Sequence, residues 1–177
     1  MHKEVIVIGA GISGIAAGHN LKKSCPHKSF AILEGRENLG GTWDLFKYPG
    51  IRSDSDMHTL GYRFKPWIHD KSIADGPSIL RYLNETVDEN NLREDILLNH
   101  KVDSANWNSD MSLWELEVKD KDQLLKMTCN FLFLCGGYFS YTKPHMPSFD
   151  YQEQFQGQIV HPQFWSKTIH YKNKKIA

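Results

Sequence analysis

The chain has 177 residues, which is enough for one substantial hydrophobic core and too few for two complete nucleotide-binding domains. Lysine plus arginine and aspartate plus glutamate number 21 each, so the balanced charge indicates neither a nucleic-acid partner nor binding to an anionic membrane. A hydrophobic content of 40%, with five tryptophans and nine phenylalanines, is typical of a globular protein and excludes a disordered chain.

The cysteines and histidines carry no recognisable site of their own. Cys25, Cys129 and Cys135 form no C-x-x-C pair, and their odd number argues against a disulfide framework. Reduced thiols, and with them a cytoplasmic location, are the simplest interpretation. The nine histidines lack the spacing of metal ligands, which predicts no metal site. No apolar run approaches the ~18 residues that would span a membrane.

The amino-terminal residues predict a βαβ unit. The run from Glu4 to Ile8 is short, apolar and β-branched, as in a buried parallel strand. A turn follows over residues 9–14, then a helix from Ile15 to about Lys23 and a second strand from Ser29 to Leu33. A strand, a helix and a second strand in so short a stretch are typical of an α/β fold with a parallel sheet.

The turn in this unit has the pattern of a dinucleotide-binding loop. Gly9, Gly11 and Gly14 form G-x-G-x-x-G directly between the predicted strand and helix. Glu34 follows Gly14 by twenty residues, where a carboxylate can accept hydrogen bonds from a ribose diol. The same carboxylate would repel a 2′-phosphate, so the pattern favours FAD or NAD over NADP. The alternative is a glycine-rich turn without a ligand, beside a surface glutamate.

The next segment, from Leu39 to about Pro66, is predicted to be a long structured loop with short helical turns. Gly40 and Gly41 would let the backbone approach a ligand, and Trp43 could wall a flat ring system. Loops of this length are uncommon unless they serve a site. Asp54 has two interpretations, because the Ser-Asp-Ser-Asp run around it is also good turn chemistry for a carboxylate that caps the loop.

The remaining elements complete the predicted α/β fold. Pro77 to about Asn91 has helical periodicity, and Ile96–Trp107, Leu113–Val118 and Leu124–Leu134 are predicted to be strands. Because Phe131–Cys135 is continuously apolar, its strand should be central in the sheet.

Two longer motifs resemble those of the Baeyer–Villiger monooxygenases. Gly-Gly-x-Trp-x4-Tyr-Pro-Gly-x3-Asp runs from Gly40 to Asp54, and F-x-G-x-x-x-H-x-x-x-W runs from Phe155 to Trp165. The residues from Trp43 to Trp67 resemble in particular the subgroup of ethionamide-activating monooxygenases. Trp165 favours this family over the N-oxygenating flavin monooxygenases, although Ser166 stands where the family usually has proline or aspartate.

The resemblance implies a Rossmann-like FAD-binding domain of the glutathione-reductase type, with a small antiparallel β-meander and incomplete at its carboxyl end. That domain would occupy residues 1–150, and residues 151–177 would be a linker and the first strand of an NADPH-binding domain. It implies that Asp54 is catalytic, near the reacting edge of the flavin, and that Val102 holds the adenine through its backbone. Arg52 and Ser53 would face the nicotinamide cofactor. The other FAD contacts would be Gly9, Gly11, Ser13, Gly14, Glu34, Gly41, Thr42 and Trp43.

The activity that the resemblance implies is an NADPH- and O2-dependent oxidation of a small molecule, either a ketone or a thio compound. Most of the NADPH site would lie outside these residues, so we expect a truncated fragment of a longer monooxygenase. The alternatives are a non-catalytic FAD-binding module and a degenerate gene product. A disulfide reductase of the same fold would need a redox cysteine pair near residue 45, and the sequence has none there. We expect His161 to be a packed, hydrogen-bonded histidine of the linker.

Overall fold

The computed structural model describes residues 1–121 and 123–176. In chain order the helices and strands are β1 (His2–Ile8), α1 (Ile12–Ser24), β2 (Phe30–Leu33), α2 (Thr42–Leu45), α3 (Met57–Leu60), α4 (Gly76–Glu89), β3 (Ile96–Leu97), β4 (His100–Asn108), β5 (Leu113–Asp120) and β6 (Gln123–Leu134). Short 3-10 turns occupy Arg93–Asp95, Gln152–Gln154 and Pro162–Phe164.

The strands form one six-stranded sheet in the order β3-β2-β1-β6-β5-β4. Strands β3, β2, β1 and β6 run parallel to one another, whereas β6, β5 and β4 form an antiparallel meander. Strand β6 belongs to both parts, since its first half pairs with β5 and its second half with β1. The predicted α/β fold with a small β-meander is confirmed.

The parallel part of the sheet buries side chains on both faces. Val5 and Val7 of β1 belong to a core cluster that includes residues of helices α1 and α4. Ile6, between them, belongs to a second cluster with Leu116 and Val118 of the meander. Because successive strand residues point to opposite faces, a strand covered on both sides must be apolar throughout. The unbroken apolar run in β1 therefore has its explanation in this two-sided packing.

Helix α4 confirms the predicted helix, with its boundaries shifted by one or two residues. The Asp75 side chain caps its start by accepting a hydrogen bond of 2.8 Å from the backbone N–H of Ser78. Ile79, Leu83 and Val87 recur every four residues and are fully buried. The helix thereby covers the face of the sheet opposite the meander.

Two sequence-based boundaries are wrong. Helix α1 begins at Ile12 rather than Ile15, so its first turn lies inside the glycine motif. The predicted single strand from Ile96 to Trp107 is divided, because the chain turns at Asn99, whose φ is 61°. The backbone N–H groups of Asn99 and His100 bond to the carbonyls of Arg36 and Glu34 and carry the chain across the end of β2.

The carboxyl-terminal residues differ from expectation in two places. Strand β6 is central, as predicted, but Phe131, Phe133 and Leu134 are exposed within the described chain. Residues 151–177 were expected to include the first strand of an NADPH-binding domain, but residues 151–176 contain no strand, and Ala177 lies outside the described residues.

The described residues contain neither a membrane-spanning helix nor a metal-binding cluster. None of their helices is long and apolar enough to cross a membrane. Within the same residues, no group of three or more histidine, cysteine, aspartate or glutamate side chains could hold a metal ion.

Candidate functional site

The glycine turn after β1 leaves the backbone bare at the start of helix α1. Gly9 has a φ of 101°, and a Cβ there would lie 2.5 Å from the carbonyl oxygen of Cys135 at the end of β6. Gly11 precedes the first residue of α1, where no side chain caps the helix and no acidic residue occupies the first turn. The free N–H groups and the positive end of the helix dipole can therefore receive an anion.

Glu34 follows β2 and is held in a defined orientation beside this turn. Only 2% of its surface is exposed. One carboxylate oxygen accepts a hydrogen bond of 2.9 Å from the backbone N–H of Ala10, and the other accepts one of 3.1 Å from that of Arg36. A carboxylate oxygen has capacity for more than one donor, so Glu34 can still accept hydrogen bonds from a ligand.

A second glycine turn packs against the first. Gly40 and Gly41 have φ values of 115° and 53°, and a Cβ on Gly41 would lie 3.1 Å from the Cα of Gly11. The backbone N–H of Gly40 donates to the carbonyl of Ala10 at 2.9 Å. Helix α2 starts directly afterwards and carries Trp43, which is partly buried. The two glycine turns are therefore in direct backbone contact.

Asp54 projects from the loop between α2 and α3 and is not the residue that caps it. Its carboxylate forms no hydrogen bond or ion pair with any of residues 1–121 and 123–176, and it is exposed. The capping role belongs to Asp56, which accepts a hydrogen bond of 2.9 Å from the backbone N–H of Thr59 at the start of α3. Ser53 is buried and accepts a hydrogen bond from the N–H of Ser55.

These parts surround a cavity of about 540 Å³ at the carboxyl ends of β1, β2 and β6. This is the edge of an open parallel sheet at which ligands bind. The predicted site residues that line it are Gly9, Gly11, Ser13, Glu34, Gly41, Thr42, Trp43, Arg52, Ser53 and Asp54.

Two predicted site residues do not line the cavity. Gly14 lies behind it, where an added Cβ would be 1.8 Å from the carbonyl oxygen of Gly9, so its absent side chain lets helix and turn pack closely. Val102 lies on β4, paired with Val118, and packs against the core cluster of the meander.

The segment after β6 also forms part of the cavity wall, which was not predicted from the sequence. Gly136 and Gly137 turn the chain out of the sheet beside Gly9. The available signal was the glycine pair at the carboxyl end of a central strand, which is the usual place for a ligand-binding loop. Other lining residues without a predicted role include Phe46, Leu60, Cys135, Tyr138, Phe139 and Tyr141.

The motif from Phe155 to Trp165 forms a compact turn structure. The Phe155 ring covers Gly157, where a Cβ would lie 2.4 Å from a ring carbon. His161 caps the 3-10 turn that follows, because its Nδ1 accepts a hydrogen bond of 3.1 Å from the backbone N–H of Gln163. This arrangement agrees with the expected role of a packed linker histidine. The Trp165 ring meets that of Tyr171 edge-on, with 5.5 Å between the ring centroids.

Comparison with known proteins identifies relatives along nearly the whole chain. The model of the NAD(P)-binding Rossmann-like domain matches residues 7–70. The chain is 50% identical over 176 residues to the FAD-containing monooxygenase EthA of Mycolicibacterium smegmatis, covering 99% of this chain and 36% of the relative. It is 47% identical over 175 residues to a probable FAD-binding monooxygenase, AlmA, of an Acinetobacter species, covering 98% of this chain and 35% of the relative. The chain is homologous to FAD-containing monooxygenases along nearly its whole length.

Solved structures extend this family relationship to the Baeyer–Villiger monooxygenases. A steroid monooxygenase bound to NADP matches with a TM-score of 0.77 and 30% identity, over 94% of this chain and 32% of that one. A closed form of cyclohexanone monooxygenase matches with a TM-score of 0.77 and 26% identity, over 96% of this chain and 32% of that one. The chain spans about one third of the length of the family members that it matches.

Proposed function

We propose that the cavity is an FAD-binding site. The proposal rests on one observation. A G-x-G-x-x-G turn, the buried carboxylate of Glu34 and a second glycine pair all border the same cavity. The bare backbone at Gly11 and Gly41 would let a pyrophosphate approach the start of α1. The cavity of about 540 Å³ lies within the range of small-molecule and cofactor sites, roughly 300–1,000 Å³.

Glu34 favours a flavin adenine dinucleotide over NADP in this cavity. Backbone N–H donors already orient its two oxygens. The lone pairs that remain can accept hydrogen bonds from two ribose hydroxyl groups. A 2′-phosphate would bring negative charge against a buried carboxylate, which is unfavourable without a compensating cation.

We assign the other side chains of the cavity by position and by the family pattern. Trp43 would wall the flat isoalloxazine ring, and Asp54 would lie near its reacting edge. The free carboxylate of Asp54 supports this assignment, because the loop is capped by Asp56 instead. Arg52 and Ser53 would face the nicotinamide cofactor, and Val102 would contact the adenine through its backbone.

We further propose that a protein carrying this domain is an NADPH- and O2-dependent monooxygenase that oxidises ketones or thio compounds. The support is the identity with the FAD-containing monooxygenases and the fold shared with steroid and cyclohexanone monooxygenases. FAD, when bound, supplies the oxygen-transfer chemistry, while residues of this chain bind and orient it. In this proposal residues 1–150 form the flavin domain, and residues 151–177 form a linker towards the NADPH-binding part of the protein.

The proposal is tested by titrating the purified chain with FAD and following flavin fluorescence. We expect one FAD per chain, and the Glu34→Gln variant should weaken binding on the order of tenfold, because a neutral amide accepts hydrogen bonds less strongly. Glu37→Gln is the matched control, since Glu37 is exposed and does not line the cavity. Failure of the wild-type chain to bind FAD, or equal binding by both variants, would contradict the assignment.

The catalytic part of the proposal is tested separately with NADPH. Loss of NADPH absorbance that depends on O2 would show that the chain turns over by itself. Bound flavin without any NADPH oxidation would instead indicate that this chain by itself is a non-catalytic flavin-binding module.

A further inference from the structure

Arg36 joins three parts of the cavity wall from behind. One terminal nitrogen donates a hydrogen bond of 3.2 Å to the carbonyl oxygen of Gly41, and the other pairs with the carboxylate of Asp44 in α2. The guanidinium carbon lies 5.2 Å from the centroid of the Tyr141 ring. The backbone N–H of the same residue donates to Glu34.

Three of the four partners of Arg36 line the cavity, whereas Asp44 and Arg36 itself do not. Glu34, Gly41 and Tyr141 are wall residues that come from three separate stretches of the chain. Arg36 therefore acts on a ligand through other residues. We propose that Arg36 is a positioning residue that holds the Gly40–Gly41 turn and the Gly137–Tyr141 segment in the geometry that binds the flavin. This inference rests on the proposed FAD site.

The geometry requires an arginine rather than any cation. The guanidinium is planar and directs several N–H donors in fixed directions, so it can bond to Gly41 and Asp44 while its plane contacts an aromatic ring. A lysine ammonium could pair with Asp44, but it could not make all three contacts at once. The Arg36→Lys variant should therefore keep the charge balance and retain only part of the positioning.

A second role for Arg36 has to be separated from positioning. Asp44 is buried, and Lys47 lies 3.7 Å from its carboxylate. Without Arg36, the negative charge of Asp44 would be balanced, among the described residues, only by this more distant lysine. The double variant Arg36→Met/Asp44→Asn removes that buried charge together with the arginine. If Arg36 served only to neutralise Asp44, the double variant would bind FAD like the wild type.

The experiment compares FAD affinity and the visible circular dichroism of the bound flavin among Arg36→Met, Arg36→Lys, Arg36→Met/Asp44→Asn and the wild type. Arg63→Met is the matched control, because Arg63 is exposed and forms no ion pair within the described part of the chain. We expect Arg36→Met to weaken binding by about tenfold or more and the double variant to remain weak. Arg36→Lys should recover part of the affinity and of the dichroism at saturating FAD.

Two results would overturn the proposal: FAD affinity of Arg36→Met equal to that of Arg63→Met, or wild-type affinity in the double variant. If the wild type bound no FAD, the proposed cofactor would be wrong, and a ligand-free measurement would decide about Arg36. Chymotrypsin cleavage after Tyr138, Phe139 or Tyr141, located by mass spectrometry, should be faster in Arg36→Met than in Arg63→Met. Equal cleavage rates would show that Arg36 does not hold the segment.

Discussion

Among the glycines, Gly14 is the one at which an added Cβ would come closest to other backbone atoms. An added Cβ would lie 1.8 Å from the carbonyl oxygen of Gly9 and 3.0 Å from its carbonyl carbon. Both atoms belong to backbone that is itself fixed between β1 and α1, so neither can move aside without displacing the helix. Gly136 is the opposite case, because nothing lies within 4 Å of a Cβ built there.

We predict that Gly14→Ala lowers the free energy of unfolding by about 3 kcal/mol or more, through overpacking against backbone. Gly136→Ala, the matched control, should change it by less than about 0.5 kcal/mol. Urea unfolding followed by tryptophan fluorescence measures both values. Equal stability of the two variants would mean that α1 does not pack as closely as described.

The two aspartates of the Ser-Asp-Ser-Asp run should differ in their effect on stability. Asp56→Ala removes the cap of α3 and should cost about 1 kcal/mol. Asp54→Ala should be within about 0.5 kcal/mol of the wild type, because its carboxylate has no partner among the described residues. Thermal unfolding of both variants checks the assignment, and a larger loss for Asp54→Ala would return the capping role to that residue.

Individual site residues could be predicted from the sequence where a local motif also determines the structure around them. Gly9, Gly11 and Glu34 could be predicted, since strand, turn and helix are adjacent in the chain and set their positions locally. The choice between Asp54 and Asp56 could not, because four turn-forming residues in a row do not show which carboxylate meets the helix start. Tyr141 could not be placed either, since it reaches the cavity only because β6 pairs with β1.

Among the elements, helix α4 is tied to the start of α1 through two tyrosines. The Tyr82 hydroxyl accepts a hydrogen bond of 2.7 Å from the backbone N–H of Tyr62 and donates one of 2.6 Å to the carbonyl of Lys65. The Tyr62 hydroxyl donates to the carbonyl of Ile12, the first residue of α1. Burial raises the pKa of both hydroxyls, so they remain protonated donors at neutral pH.

Tyr82→Phe should destabilise the protein by about 1–3 kcal/mol, because it leaves the buried N–H of Tyr62 without an acceptor. Tyr138→Phe is the control, since 90% of the Tyr138 surface is exposed. Chemical denaturation gives the difference between the two variants. If Tyr82→Phe left the free energy of unfolding unchanged, water would have to replace the lost hydroxyl.

The sequence predicted well those helices and strands that keep the same pattern of buried and exposed faces along their whole length. Helix α4 keeps one face buried along its length, and β5 alternates buried and exposed residues. The division between β3 and β4 could not be predicted, because no glycine or proline interrupts residues 96–107. The break depends instead on distant carbonyls of Glu34 and Arg36 that draw the chain across the end of β2.

For the whole molecule, the lowered pKa values of several carboxyl groups make stability dependent on pH. The ion pair with Lys28, followed by the backbone N–H of Ser29, lowers the pKa of Glu4 from its ordinary 4.5 to about 2. Hydrogen bonds and nearby cations likewise lower the pKa values of Asp56, Asp75 and Asp103. Such groups stabilise the folded chain above their unfolded pKa values, and this stabilisation is lost as the pH falls.

We predict that Glu4→Gln loses less stability than the wild type when the pH is lowered from 5 towards 2, in the window between the unfolded and folded pKa values of Glu4. Glu37→Gln should follow the wild type, because Glu37 is exposed and forms no ion pair with the described residues. The urea midpoint measured at several pH values decides between them. Parallel curves for Glu4→Gln and the wild type would show that the pair with Lys28 does not persist in solution.

Strand β6 also sets the order in which the molecule can assemble. Its hairpin with β5 closes over a short loop, whereas its pairing with β1 brings together His2 and Thr128, which are 126 positions apart. Closing a long loop costs more chain entropy, and pairings of high sequence separation form slowly. The cavity floor lies between Gly9 and Cys135, at the end of that long-range pairing. A flavin would therefore find its site complete only after β6 has paired with β1, and its binding would report that this long-range pairing has formed.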